Sequence, residues 1–177
     1  MAVKDGVLIS STEENIGKKD LAWSYAQVCL KSDIYPGGIC WLKGHRNDVS
    51  YQLLNFAVEK LGLTFDGTPH LKDKIRHCWN QWRQEDTLVI ISDARDYQSV
   101  RDYLPPSNRQ FKVLITTKDM YIRTWEEADF SLLRVRPLTY EDEDKVVSSS
   151  ERARDFSRLL GLGVFFLAIN TISLVGS

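Results

Sequence analysis

Thr87-Leu88-Val89-Ile90-Ile91-Ser92-Asp93 and Phe111-Lys112-Val113-Leu114-Ile115-Thr116-Thr117-Lys118 decide how this chain folds. Each is a short apolar run rich in β-branched residues that closes on polar side chains. Neither keeps polar residues on alternate positions, which is how a strand reads when both of its faces are covered. Two buried parallel strands are therefore expected. An open α/β sheet takes its ligands at the carboxyl ends of its strands, and the polar clusters Ser92-Asp93 and Thr116-Thr117-Lys118 stand there.

Outward from this pair the same alternation of strand and helix continues. Gly6 to Ile9 is a third apolar run, stopped by a polar loop from Ser10 to Gly17. The spacing predicts a helix over 18–30, with Leu21, Ala22, Tyr25, Val28 and Cys29 on one face. Tyr35-Pro36-Gly37-Gly38 is a turn, and Ile39 to Leu42 reads as a strand. Asn47 or Asp48 can cap a helix striped by Val49, Leu53, Phe56, Ala57 and Leu61, which Gly62 ends. A helix over 71–82 turns Leu71, Ile75, Cys78, Trp79 and Trp82 inward, and for Trp79 and Trp82 packing outweighs ligand stacking. A short helix near 120–126 and a strand over 130–135 complete five strands separated by helices. That pattern makes a three-layer parallel-sheet α/β domain with right-handed crossovers.

Composition narrows the function classes. The chain has 177 residues, enough for one core, and its 23 basic and 24 acidic residues nearly balance, so no nucleic-acid partner is expected. Cys29, Cys40 and Cys78 are odd in number, widely spaced and set in apolar surroundings, the usage of a reducing, cytoplasmic compartment. His45, His70 and His77 have no partner at metal-ligand spacing. No signal-peptide pattern opens the chain.

Phosphate chemistry enters at the first strand, loop and helix. A P-loop needs a glycine turn that offers N–H groups, a lysine for the phosphates, and a hydroxyl and an acidic residue for magnesium. Gly17-Lys18 stands immediately before the expected helix. The first glycine of G-x-x-x-x-G-K-[ST] is replaced by Thr12, and the hydroxyl position holds Lys19. A lysine cannot coordinate magnesium. Without a ligand, Glu13, Glu14 and Asp20 can neutralise both lysines, so an empty structural site is the competing reading.

Asp86 to Ala94, Tyr103-Leu104-Pro105-Pro106 and Phe111 to Lys118 together resemble the NB-ARC domain of the STAND class of P-loop signalling ATPases. Pro36 to Leu42, Leu61-Gly62-Leu63 and Leu132 to Leu138 are similar to the same family, and the likeness spans residues 5 to 140. The resemblance implies an ADP- or ATP-binding domain over residues 1–138. Lys18 matches the phosphate lysine, Asp93 the second of two acidic residues, and Lys118 takes the place of an arginine that senses the γ-phosphate. Ser92 replaces the first acid. Lys19 and Ser92 thus remove both protein ligands of magnesium, so the expected site of Thr12, Gly17, Lys18, Lys19, Asp93 and Lys118 binds nucleotide with little hydrolysis and no metal set.

From Thr139 the character changes. Thr139-Tyr140-Glu141-Asp142 reads as a helix start, and after Ser148-Ser149-Ser150 come Arg152, Arg154 and Arg158 and an apolar run to Ser177. Leu160 to Leu167 resembles the Gly-Leu-Pro-Leu turn of the family's helical subdomain with its proline lost. Residues 139–177 are accordingly expected as a short apolar helical tail. It is either a remnant of that subdomain or a membrane-associating segment over 159–177. Three functions follow: a regulatory nucleotide switch partnered by a larger relative, a nucleotide-free interaction protein acting through its tail, and a working magnesium-dependent ATPase.

Overall fold

The computed structural model describes residues 6–11, 17–44, 49–65, 67, 70–82, 85–107, 110–119 and 121–135. Its strands are β1 (Gly6–Ser10), β2 (Ile39–Lys43), β3 (Thr87–Ala94), β4 (Phe111–Thr117) and β5 (Phe130–Arg134). They form one sheet in the order β2-β3-β4-β1-β5. Every neighbouring pair is parallel, as the unbroken apolar runs require. The helices among the described residues are α1 (Lys18–Lys31), α2 (Val49–Leu61), α3 (Leu71–Asn80) and α4 (Arg123–Glu126), with a 3₁₀ turn at Arg101–Tyr103 between β3 and β4.

Two cores sandwich the sheet. Val7, Ile9, Leu88, Ile90 and Leu114 point to one face, where Ala22, Ala26 and Cys29 of α1 cover them. Leu8, Val89, Ile91, Val113 and Ile115 point to the other, beneath Leu53, Ala57, Ile75, Cys78 and Trp125. The alternation of side chains along each strand sends successive residues to opposite layers, so both faces must be apolar. From β1 the chain crosses to the far edge at β2 and then returns step by step through β3 and β4 to β5. One hand of crossover places α1 opposite the other helices when the direction reverses, and they are so placed.

Several local expectations need correction. Lys18 and Ala26 lie on the buried side of α1 with Ala22 and Cys29, and the expected Leu21 and Tyr25 pack half-buried against the same core. Leu71 is exposed because α3 starts there, and Trp82 is buried just past the helix end. The last helix begins at Arg123, and the 3₁₀ turn carried no apolar periodicity to announce it. Gly62 has φ 67°, and its N–H and that of Leu63 close α2 on the Val58 and Ala57 carbonyls. The caps read at Asn47 and Asp48, and the whole tail from Thr139 to Ser177, lie outside the described residues. Among the described residues no helix is long and apolar enough to cross a membrane.

Candidate functional site

The chain leaves β1 over one face of the sheet and leaves the adjacent β4 over the other. Between such strands the carboxyl edge opens into the crevice where α/β sheets take ligands. Ser10 pairs in register with Thr117, so Ser11 and Lys118 stand one residue further along the two strands.

Gly17 enters α1 at φ 76°, a left-handed conformation that L side chains adopt only under strain. Its own carbonyl accepts the Leu21 N–H, and no side chain caps the helix from this position. Lys18 is the first helical residue and is only 6% exposed. Its Nζ donates to Ser11 Oγ at 2.5 Å, across the loop from the end of β1. Withdrawing an ammonium from water costs several kcal/mol, and here it also stands at the positive end of a helix dipole. Both costs fall when an anion shares the site. Lys19, one position on, is exposed, and Asp20 is the acidic residue of the first turn. Thr12 lies outside the described residues, as do Glu13 and Glu14.

At the end of β3 the ladder slips: Ile91 pairs with Ile115 and Ala94 with Thr117, so three steps on β3 oppose two on β4. This bulge bends the strand at Ser92-Asp93 and puts Asp93 at φ 58°. Strained non-glycine residues of this kind persist where the surroundings hold them. The hold is visible: the Asp93 N–H donates to Thr116 Oγ1 at 2.9 Å. Ser92 is fully buried, accepts from Trp41 Nε1 at 3.2 Å and donates to the Leu42 carbonyl at 3.3 Å. Its hydroxyl therefore serves β2. At the same place Gly44 is obligatory, since a Cβ there would stand 2.8 Å from Ala94 Cα.

The turn after β4 is tied more tightly still. Thr117 Oγ1 donates to the Ala94 carbonyl at 2.7 Å and accepts the Asp119 N–H at 2.9 Å. The Asp119 carboxylate accepts the Tyr121 N–H at 2.8 Å on Oδ1 and Trp125 Nε1 at 2.9 Å on Oδ2. Lys118, between these anchored residues, is exposed.

Of the residues expected from sequence, the structure sets Lys18 beside Ser11, and Asp93 and Lys118 at the ends of the next strands of the same edge. Ser11, Thr116, Asp119 and Trp125 were not singled out as site residues. Ser11, Thr116 and Asp119 carry a signal, as polar residues at the end of an apolar run, and Trp125 carries none. Trp79 and Trp82 stack at 5.0 Å and meet Phe111 edge-on, so they are core. Burial pushes the Cys29 thiol up to about 11 and the Cys78 thiol to about 12, and it raises Cys40 as well. Thiols so raised are inert packing groups at neutral pH. Among the described residues no cluster of three or more His, Cys, Asp or Glu side chains could hold a metal ion.

No protein-family model matches the chain, and no curated protein matches it in sequence. Solved structures do. The Aeropyrum pernix ORC2 protein, solved as ADPNP-ADP complexes, superposes with a TM-score of 0.52 at 17% identity, covering 86% of this chain and 46% of that one. A chain in the structure of Drosophila ORC bound to AT-rich DNA and Cdc6 gives 0.51 at 14% identity, covering 86% of this chain and 58% of that one. The domain has a P-loop NTPase-like fold. The likeness is one of fold, and this chain spans about half the length of the structures it matches.

Proposed function

We propose that this P-loop NTPase-like domain is a regulatory adenine-nucleotide-binding module of NB-ARC type that turns over its nucleotide little or not at all. The observation that carries the reading is Lys18: an ammonium drawn out of water at the amino end of α1, held by Ser11 and preceded by a left-handed Gly17. The diphosphate of ADP or ATP supplies the negative charge that the amino end of a helix favours. That the Aeropyrum pernix ORC2 protein was solved as ADPNP-ADP complexes supports an adenine nucleotide over other phosphates.

Low turnover follows from the residue types. Lys19 stands where the motif places a metal-binding hydroxyl, and Ser92 stands where it places an acid and gives its hydroxyl to β2. Asp93 remains as the one carboxylate at the bulge, and Lys118 supplies charge without the paired geometry of an arginine. In this reading nucleotide occupancy sets what the domain offers to a protein partner, a larger member of the same class, and residues 139–177 carry the contact. Thermal unfolding with millimolar ADP or ATP, with and without magnesium, tests it. Nucleotide raises the melting temperature without magnesium, Lys18→Ala abolishes the rise, and phosphate release stays at background. A wild-type protein that neither nucleotide stabilises contradicts the reading.

A further inference from the structure

We propose that the free edge of β2 is a homodimer interface, on which a second copy of this chain lays its own β2 antiparallel across a two-fold axis. β2 is an end strand of the sheet, paired with β3. The Gly38 carbonyl and the Gly44 N–H are bonded to Leu88 and Ser92 of β3, so the strand's period of two turns the backbone groups of Ile39, Trp41 and Lys43 outward. At Lys43 the Gln52 side chain of α2 takes both of them: its Oε1 accepts the N–H at 2.9 Å and its Nε2 donates to the carbonyl at 3.1 Å. A side-chain amide closes the edge there as a neighbouring strand would. Among the described residues the N–H and C=O groups of Ile39 and Trp41 have no such partner.

This open run is its own complement. In an antiparallel pair Ile39 of each copy faces Trp41 of the other, and each facing pair exchanges two hydrogen bonds, which uses every open group of both edges. The ladder ends where Gln52 ends it, so a longer foreign strand gains nothing past Lys43. Charge sets the direction. Lys43 is exposed at the carboxyl end of β2, while the exposed Glu85 and Asp86 lie at its amino end, where the Asp86 carbonyl accepts the Gly37 N–H. Antiparallel pairing brings Lys43 opposite Gly37 of the second copy, beside those acids, whereas parallel pairing sets like ends together. Apolar surface borders the same edge: Trp23 on α1 is 55% exposed and meets Trp41 edge-on at 5.7 Å, and Leu30, two turns along the same side of α1, is 65% exposed. The two-fold axis puts both α1 helices on one side of the joined sheet, where these side chains meet their counterparts and leave water.

Sedimentation of the full purified chain from micromolar to near-millimolar concentration, with amide hydrogen exchange read residue by residue, tests this. The mass rises toward that of two chains, and exchange at the Ile39 and Trp41 amides slows over the same range while Cys40 and Leu42, bonded to β3, stay protected throughout. Lys43→Glu and Asp86→Lys each meet like charge twice in their own dimers, and each weakens association by about 10-fold. Mixing the two variants restores it, because both contacts of the mixed dimer then join opposite charges. A variant that had merely lost its fold would not be rescued by mixing. A chain that stays monomeric at every concentration overturns the inference. So does a dimer whose Ile39 and Trp41 amides exchange as in the monomer, which puts the contact elsewhere. Amides already protected at the highest dilution overturn it too, since the chain then closes this edge itself.

Discussion

At the amino end of the sheet Trp79 and Trp82 stack on one another against Phe111 and Phe56, and neither indole N–H has a hydrogen-bond partner among the described residues. At the carboxyl end Trp41 and Trp125 each donate, to Ser92 Oγ and to an Asp119 oxygen. The same side chain is used as apolar mass at one end and as a directional donor at the other. A buried N–H without a partner forfeits on the order of 1–3 kcal/mol, and the amino end bears that twice for the sake of aromatic area. The carboxyl end keeps Trp125 fully buried and also uses its indoles for bonds that fix where Ser92 and Asp119 stand. Unpartnered aromatic N–H groups stand at one edge of the sheet, and hydrogen-bonded ones at the other.

The largest effect that would break this comparison is loss of an aromatic at the amino end. Trp79→Ala is expected to cost about 3–5 kcal/mol in urea unfolding, since it opens a cavity between α3 and Phe111. A cost below about 1 kcal/mol would mean the stack is not part of the core. A sharper contrast comes from making one substitution at both ends. Trp125→Phe leaves an Asp119 oxygen without its donor and should cost about 2 kcal/mol, whereas Trp79→Phe removes an N–H that had no partner and should stay within about 1.5 kcal/mol. Equal costs would erase the distinction between the ends.

The smallest effect belongs to the buried titratable groups, which lie in both layers. Burial raises Cys29, Cys40 and Cys78 above the ordinary thiol value of 9.0, and raises Tyr25 and Tyr35 above 10.0. The folded state then holds protons that the unfolded chain releases above pH 9. The contribution is whole below that pH and is lost as pH rises through 11 and 12, the folded values of Cys29 and Cys78. Between pH 8 and pH 9.5 the loss is less than about 1 kcal/mol per thiol, read as a falling urea midpoint. A midpoint that rises over this range would contradict the burial.

Much of this architecture is legible in the chain because burial on both faces leaves a mark on sequence. Leu88–Ile91, Val113–Ile115 and Val7–Ile9 are apolar without alternation, and all became central strands. Strand order left no such mark, since no run of residues encodes its neighbour in the sheet. At the site, Gly17-Lys18 was readable as a local motif, but the partner of Lys18 was not. Ser11 stands seven positions before Lys18, just past the end of β1, and residue types do not say that the two meet. Ser92 illustrates the same limit from the other side. Its identity marked the loss of an acid, while its bond to Trp41 joins residues 51 positions apart, which periodicity cannot announce.

The central claim is that Lys18 is withdrawn from water in order to hold phosphate. Calorimetric titration of ADP into the full chain, with chelator in place of magnesium, beside Lys18→Gln, measures this most directly. Removal of a charged hydrogen-bond donor from a phosphate is worth about 1.5–3 kcal/mol, so affinity should fall by roughly 10- to 150-fold in the variant. Wild-type protein that releases no heat with ADP, or a Lys18→Gln variant that binds as tightly, would contradict it.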